Sequence, residues 1–500
     1  MATATAVTTG FEKPTSILSK LLYPAALLAS WSMWLAAMRA PLWVDETLVY
    51  WQISGGFAKI WSRSAQMPSS FAYLYILWLV KSVLGSQEIA LRIPSVLAML
   101  AAAYWLFRAA RELFSREIAF VTCILFCVQT DVVLAAANAR PYAFALLMTN
   151  LAIFSLIRWS AQNEMRYAVL TGAAAAGILY FHYLFAAILP AFAIYYLSLR
   201  WRSIRASAGQ LAAMLFSFVL VSAPLVPRFV TLFRTKQPHI LAAVPRTLLV
   251  LRTLAPFNLL VIFLATLFVA VLLGKVKFPR RDCPLAVLLC PLLALVPAAI
   301  LYGVSVGTSM HVFIPRYCLV AVPGSALTWG FLISWIDVGW LRRACCAGVV
   351  AITVFQYFSL PVARRQEMNF KQAHAFVNQN VAGDQASVLM CSAFIESNFE
   401  PIPTDRTSES ALLSQLSYYP VNAPVVLLPY SLNDEAVRIG KQAVSAAAQR
   451  RQRFLALGSP ACYPTLEWLA SYSHGTFTPQ LLGNFDGVAV VGFQPAAGRD

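Results

Sequence analysis

Charge is scarce in this chain. Asp, Glu, Lys and Arg make up 12% of its 500 residues, against about 25% in soluble domains. With 59% hydrophobic residues and a mean hydropathy of +0.67, a water-soluble globular protein is excluded. Acids are scarcer than bases, 21 against 38, leaving a net charge of +17. That excess does not mark a nucleic-acid binder. Most of the Lys and Arg fall in short clusters between apolar segments, where they orient a protein across a bilayer. No CxxC spacing occurs among the 9 cysteines, so no metal site is expected. Cys123, Cys127, Cys290 and Cys318 lie inside apolar segments and read as packing residues. No short apolar stretch with a small-residue cleavage site opens the chain, so residues 17–40 read as a retained first span. No repeated halves are visible, although many transporters are built from repeats.

What the chain has is a series of apolar segments. After the first, spans are expected at about 88–107, 117–134, 141–158, 167–181, 183–199, 207–226, 256–274, 284–303, 312–334 and 343–360. Basic clusters fall at alternate junctions: Arg108/Arg111/Arg116, Arg158/Arg166, Arg200/Arg202/Arg205, Lys275/Lys277/Arg280/Arg281 and Arg342/Arg343. Placing these inside makes the other junctions external. Residues 69–84 resist the scheme, because a further crossing there would put every later basic cluster outside. That piece is also only about 24 Å long as a helix, against a core of ~30 Å. It reads as a helix lying in the outer interface. The expectation is about 11 spans, with the N-terminus cytoplasmic, in a bacterial inner membrane.

Two further regions stand apart. The external segment 228–252 carries Arg228, Arg234, Lys236, Arg246 and Arg252. It suits either the lipid surface or a phosphate group. Residues 361–500 have no spanning stretch and read as a small external α/β domain. Strands are expected near 386–390 and 425–428 and a helix at 434–453. The division is a membrane domain, 1–360, followed by a soluble domain, 361–500. If the compartment oxidises thiols, Cys391 and Cys462 could form one bridge.

The first external loop opens on Trp43-Val44-Asp45-Glu46. Carboxylates at a membrane boundary are costly to desolvate, so the pair marks a candidate site. Farther on come Ala90-Leu91-Arg92-Ile93-Pro94-Ser95, Ala139-Arg140-Pro141-Tyr142, His182-Tyr183 and Pro315-Arg316-Tyr317, all at external ends of expected spans. In order and spacing, from residue 17 to about 335, this set resembles the GT-C membrane glycosyltransferases. The branch it resembles includes the protein O-mannosyltransferases, the lipid A aminoarabinose transferase and bacterial RgtA/B/C/D-like enzymes. A weaker echo covers residues 370–389.

The resemblance implies a GT-C-like polytopic helical fold with interfacial helices in the first external loop. It implies a polyprenyl-phosphate sugar as donor and an outward-facing reaction that inverts the anomeric centre. The acceptor would be a glycan, a lipid or a protein. By the same resemblance Asp45 is the catalytic acid/base. Neighbours on a helix do not share a face, so Glu46 is expected to orient the loop or bind acceptor rather than act as base. Two departures stand out. Asn138 replaces an acid that many relatives carry, and Gln66-Met67-Pro68 replaces a Glu-Lys-Pro, which argues against a bound metal. No cofactor is expected.

The chemistry agrees with these residue types. Transfer needs a base for the acceptor hydroxyl and positive charge on the departing phosphate. Arg92, Arg140 and Arg316 sit near outer span ends, and the guanidinium fork suits phosphate. Each taken alone is equally a snorkelling anchor; three at one level favour a phosphate site. Asn138, Tyr142, His182, Tyr183 and Tyr317 complete the candidate substrate-binding set. His182 reads as a structural ring or a donor to substrate rather than a metal ligand. The competing readings are a transporter of a lipid-linked or anionic substrate and a non-catalytic scaffold.

Overall fold

A computed structural model describes residues 17–66, 70–201, 207–235, 245, 257–276, 286–359, 368–381, 386–403 and 408–496. Lys236, Arg246 and Arg252 of the basic loop, Lys277, Arg280 and Arg281, and Met67 and Pro68 lie outside the described residues. The helices up to residue 181 are α1 (Ile17–Ala37), α2 (Val44–Ser54), α3 (Phe57–Gln66), α4 (Phe71–Leu84), α5 (Glu88–Leu113), α6 (Arg116–Val128), α7 (Thr130–Ala137), α8 (Tyr142–Gln162) and α9 (Met165–Phe181). The chain forms two compact units. The first is residues 1–38 with 92–359; the second is residues 39–91 with 360–500.

The first unit is helical. Among the described residues of the whole chain, six helices are long and apolar enough to cross a membrane, or up to seven if one bent pair counts as a span. Shorter apolar helices cover Met165–Phe181, Tyr183–Leu199 and Leu260–Leu272. The expected span 117–134 is not one rod. It breaks at Gln129 into α6 and α7, which meet at 68°. Gln129 is extended, with φ −63° and ψ 135°, and the polar run Gln129-Thr130-Asp131 gives the apolar segment a second helix start.

Several polar side chains inside this unit bond to neighbouring helices, which offsets the cost of burying them in lipid. Trp34 donates to the Cys127 carbonyl at 2.9 Å and Asn150 to the Ala102 carbonyl at 2.9 Å. Glu117 accepts from Tyr23 at 2.6 Å and from Arg342 at 2.7 Å. Small residues allow close approach elsewhere. A Cβ on Gly324 would lie 2.3 Å from the Leu293 carbonyl carbon and 2.4 Å from the Ala294 nitrogen. Backbone cannot yield as a side chain does, so Gly324→Ala should cost about 1–3 kcal/mol. The check is a lower melting temperature for the purified protein in detergent.

The second unit joins the first loop to the tail. α4 starts at Ser70, whose hydroxyl accepts from the Tyr73 amide at 3.3 Å, and stops at Gly85 in the left-handed region, φ +85°. The tail carries a five-stranded sheet of β1 (Ser387–Cys391), β2 (Val425–Leu428), β3 (Phe454–Gly458), β4 (Phe477–Phe485) and β5 (Val488–Pro495), in the order β2-β1-β3-β5-β4. β1 runs parallel to β2 and β3, while β5 is antiparallel to β3 and β4. Phe454 stacks on Phe493 at 4.4 Å and meets Phe477 edge-on at 5.1 Å. Cys391 and Cys462 are disulfide-bonded. The helix Asp434–Arg450 is capped by Asn433, which accepts from the Ala436 amide at 2.8 Å.

Residues 39–91 belong with this sheet domain, whereas a division of the chain at 360 leaves them with the membrane part. α2 packs on the helix Ser414–Tyr418. The Leu42 amide donates to the Tyr419 hydroxyl at 2.8 Å, and that hydroxyl donates to Glu88 at 2.6 Å. Lys59 pairs with Glu409.

Candidate active site

The candidate residues fall in both units. In the second, Asp45 and Glu46 occupy the first turn of α2, where the helix dipole favours carboxylates. The two acids face different environments, as neighbours on a helix should. Glu46 is fully buried, and its carboxylate accepts from the Trp43 amide at 3.2 Å. It satisfies a backbone donor at the helix start, as the third residue of a capping box does. Asp45 is half-buried, its side chain partly open to solvent.

In the first unit, three of the sequence motifs meet around one imidazole. His182 ends α9 in extended backbone, φ −157° and ψ 103°. Its ring lies 5.1 Å from Tyr142, 5.2 Å from Tyr317, 4.9 Å from Phe185 and 5.9 Å from Tyr183, centroid to centroid. Arg140 stands over the Tyr142 ring at 5.8 Å and Arg316 over the Tyr317 ring at 5.4 Å. Residues far apart in sequence, Arg140 and Arg316, are thereby held beside one aromatic cluster. Pro141 and Pro315 start the helices that carry Tyr142 and Arg316; a ring-fixed φ suits a helix N-terminus.

The electrostatics follow from this packing. Burial first, then the charges of Arg140 and Arg316, lower the His182 pKa to about 3. The ring is therefore neutral at physiological pH. Among the described residues its Nδ1, the Tyr142 hydroxyl and the Asn138 side-chain oxygen have no hydrogen-bond partner. Buried polar atoms without partners in a cluster beside two arginines suit a polar ligand. A histidine held neutral when folded binds fewer protons than when unfolded, so stability falls as pH drops from about 6.5 toward 3. Compared with His182→Phe, the wild-type melting temperature should decline more steeply over that window. Parallel declines in the two proteins would show that the depression is absent.

Arg92 is fully buried and donates to the Met38 carbonyl at 2.7 Å, closing the turn after α1. One turn farther along α5, Ser95 donates to the Arg140 carbonyl at 3.3 Å. Asn138 ends α7, and its carbonyl accepts from the Arg140 amide at 2.8 Å. Sequence reasoning passed over Asp131, in the first turn of α7. α7 packs against the short helix Pro315–Cys318 that carries Arg316. An acid inside an expected span was the signal that could have found it. Among the described residues, no group of three or more His, Cys, Asp or Glu gathers as a metal site.

Residues 68–226 match the family of dolichyl-phosphate-mannose-protein mannosyltransferases. Among solved structures, the chain is similar to ArnT from Cupriavidus metallidurans bound to undecaprenyl phosphate. That match has a TM-score of 0.55 and 12% identity, over 96% of this chain and 98% of that one. The same enzyme in the apo state gives 0.52 and 13%, over 95% and 97%. None of the curated proteins matches the sequence. At such identities the structural likeness shows the fold alone, and that fold is the GT-C membrane glycosyltransferase fold.

Proposed function

We propose that this chain, a membrane protein with the GT-C glycosyltransferase fold, transfers a sugar from a polyprenyl-phosphate donor to an acceptor hydroxyl on the external face. The observation that carries the reading is the convergence of Arg140, Arg316 and the partnerless polar atoms of Tyr142 and His182 on one cluster. Two guanidinium groups beside an aromatic floor suit a lipid-linked phosphate diester. A neutral His182 adds a ring nitrogen that can donate without adding charge.

In the reaction the acceptor oxygen attacks the anomeric carbon. The bond from that carbon to the phosphate oxygen breaks, and its electron pair leaves with the phosphate. Asp45 takes the acceptor proton, and Arg140 and Arg316 hold the charge that grows on the phosphate. Glu46 holds Asp45 in place by fixing the start of α2. Attack opposite the leaving group inverts the anomeric centre.

The reading is tested with the purified protein in proteoliposomes containing a radiolabelled polyprenyl-phosphate sugar and extracts of cell-envelope glycans, lipids and proteins. Transfer of label with release of polyprenyl phosphate is expected. Intact donor after incubation with every extract would overturn it.

A further inference from the structure

The second unit carries a shallow trough that the reaction above does not use. It has a volume of about 550 Å³, within the range of ~300–1,000 Å³ typical of ligand pockets. Tyr50, Tyr418 and Tyr419 line it, together with Gln87, Glu88 and Lys371. Tyr50 and Tyr418 meet edge to face at 4.7 Å, and Tyr418 and Tyr419 at 4.8 Å. Their rings are therefore held at fixed angles rather than free to collapse.

The polar groups are equally fixed. Tyr418 donates to the Ser86 carbonyl at 2.8 Å. Glu88 accepts from Tyr419 at 2.6 Å and from Lys371 at 3.1 Å. Burial first, then the bond and charge of Glu88, raises the Tyr419 pKa, so its hydroxyl stays a donor. Ile89 is the one aliphatic side chain in the lining, which is poor footing for an acyl chain or an apolar peptide.

We propose that this trough is a glycan-binding subsite for the acceptor. A sugar ring presents C–H bonds on one face and hydroxyls around its edge. The C–H face suits the negative face of a tyrosine ring, and the hydroxyls suit Glu88, Gln87 and Lys371, which offer both acceptors and donors. Tyr50 also lies on the helix that carries Asp45, five residues along, about 7.5 Å of axial rise. The two positions are ~140° apart around that helix, so a chain of two or more sugars is the ligand that could lie on Tyr50 and extend toward Asp45. The proposal rests on reading the protein as a glycosyltransferase and names the class of its acceptor.

The test uses the full chain in lipid nanodiscs with maltohexaose, cellohexaose and chitohexaose as probes, read by saturation-transfer NMR and titration. Saturable binding of at least one hexasaccharide is expected. Gln87→Trp, an exposed position where bulk fills the trough, and Tyr50→Leu should each weaken it about tenfold or more, while Tyr50→Phe should keep it. No saturable binding of any of the three, or binding unchanged in both Gln87→Trp and Tyr50→Leu, would overturn the proposal. Binding of decaproline that excludes the hexasaccharides would also overturn it, in favour of a peptide. Undecaprenyl phosphate binding, followed in the same nanodiscs by native mass spectrometry, separates the two claims. Undecaprenyl phosphate binding without saccharide binding defeats the trough alone. Saccharide binding without undecaprenyl phosphate binding defeats the transferase reading, and with it the acceptor role, and leaves the trough as a glycan-binding site only.

Discussion

Asp45→Asn should abolish sugar transfer, with a loss of about 10²–10⁴-fold as expected for removing a general base. The change is nearly isosteric, so a loss reports charge rather than shape. Asp45 is half-buried at the start of α2, and expression and donor binding should be little altered. Glu46→Gln should behave differently. Its carboxylate is buried and accepts from the Trp43 amide. The amide side chain can still accept that bond, so partial activity should remain, with a stability loss of about 0.5–2 kcal/mol at most. Both variants are compared by initial rates in proteoliposomes and by melting temperature. Full transfer by Asp45→Asn would move the base to another residue.

The second large effect is expected at the arginine pair. Arg140→Ala or Arg316→Ala should each remove a charge-assisted contact worth roughly 1.5–3 kcal/mol, about 10- to 150-fold in the use of limiting donor. Lys replacements should rescue in part, since an ammonium lacks the two-pronged fork. The rates are read at donor concentrations well below saturation. Wild-type rates in both Ala variants would make the two arginines headgroup anchors. Arg92→Ala is the contrast. Arg92 is fully buried and bonded to the Met38 carbonyl, so its loss should appear as poor folding rather than as a donor effect.

Much of this architecture could be read from the residues. The apolar segments became helices because their length and lack of charge leave few other structures in lipid. β2 formed where a short apolar run marks a buried strand, and the helix Asp434–Arg450 formed within the expected 434–453. The β4–β5 hairpin was also legible, although it was not expected in advance. Asp486-Gly487 is a strong two-residue turn signal, and both residues have positive φ, +50° and +96°. The α6–α7 break is harder, because hydropathy averages over the polar triplet at Gln129. Burial of Arg92 and capping by Glu46 were not legible. Both depend on which backbone groups lie within reach, and only the tertiary structure decides that. The motifs singled out Arg140, His182 and Arg316 one by one, and packing determined that they share one aromatic cluster.

The second unit has a consequence for how the protein is made. The Leu42 amide and the Tyr419 hydroxyl are bonded across 377 positions of chain. Contacts so distant in sequence form late, because the loop between them must first be closed. Synthesis runs from the N-terminus, so the turn that carries Asp45 emerges long before Tyr419 does. Until then α2 lacks the residues it packs on, the helix Ser414–Tyr418. A ribosome that stopped at residue 400 would release a chain with Asp45, Arg140 and Arg316 in place and the support of Asp45 missing. Every residue assigned to the chemistry would be present, and the product should still be inactive.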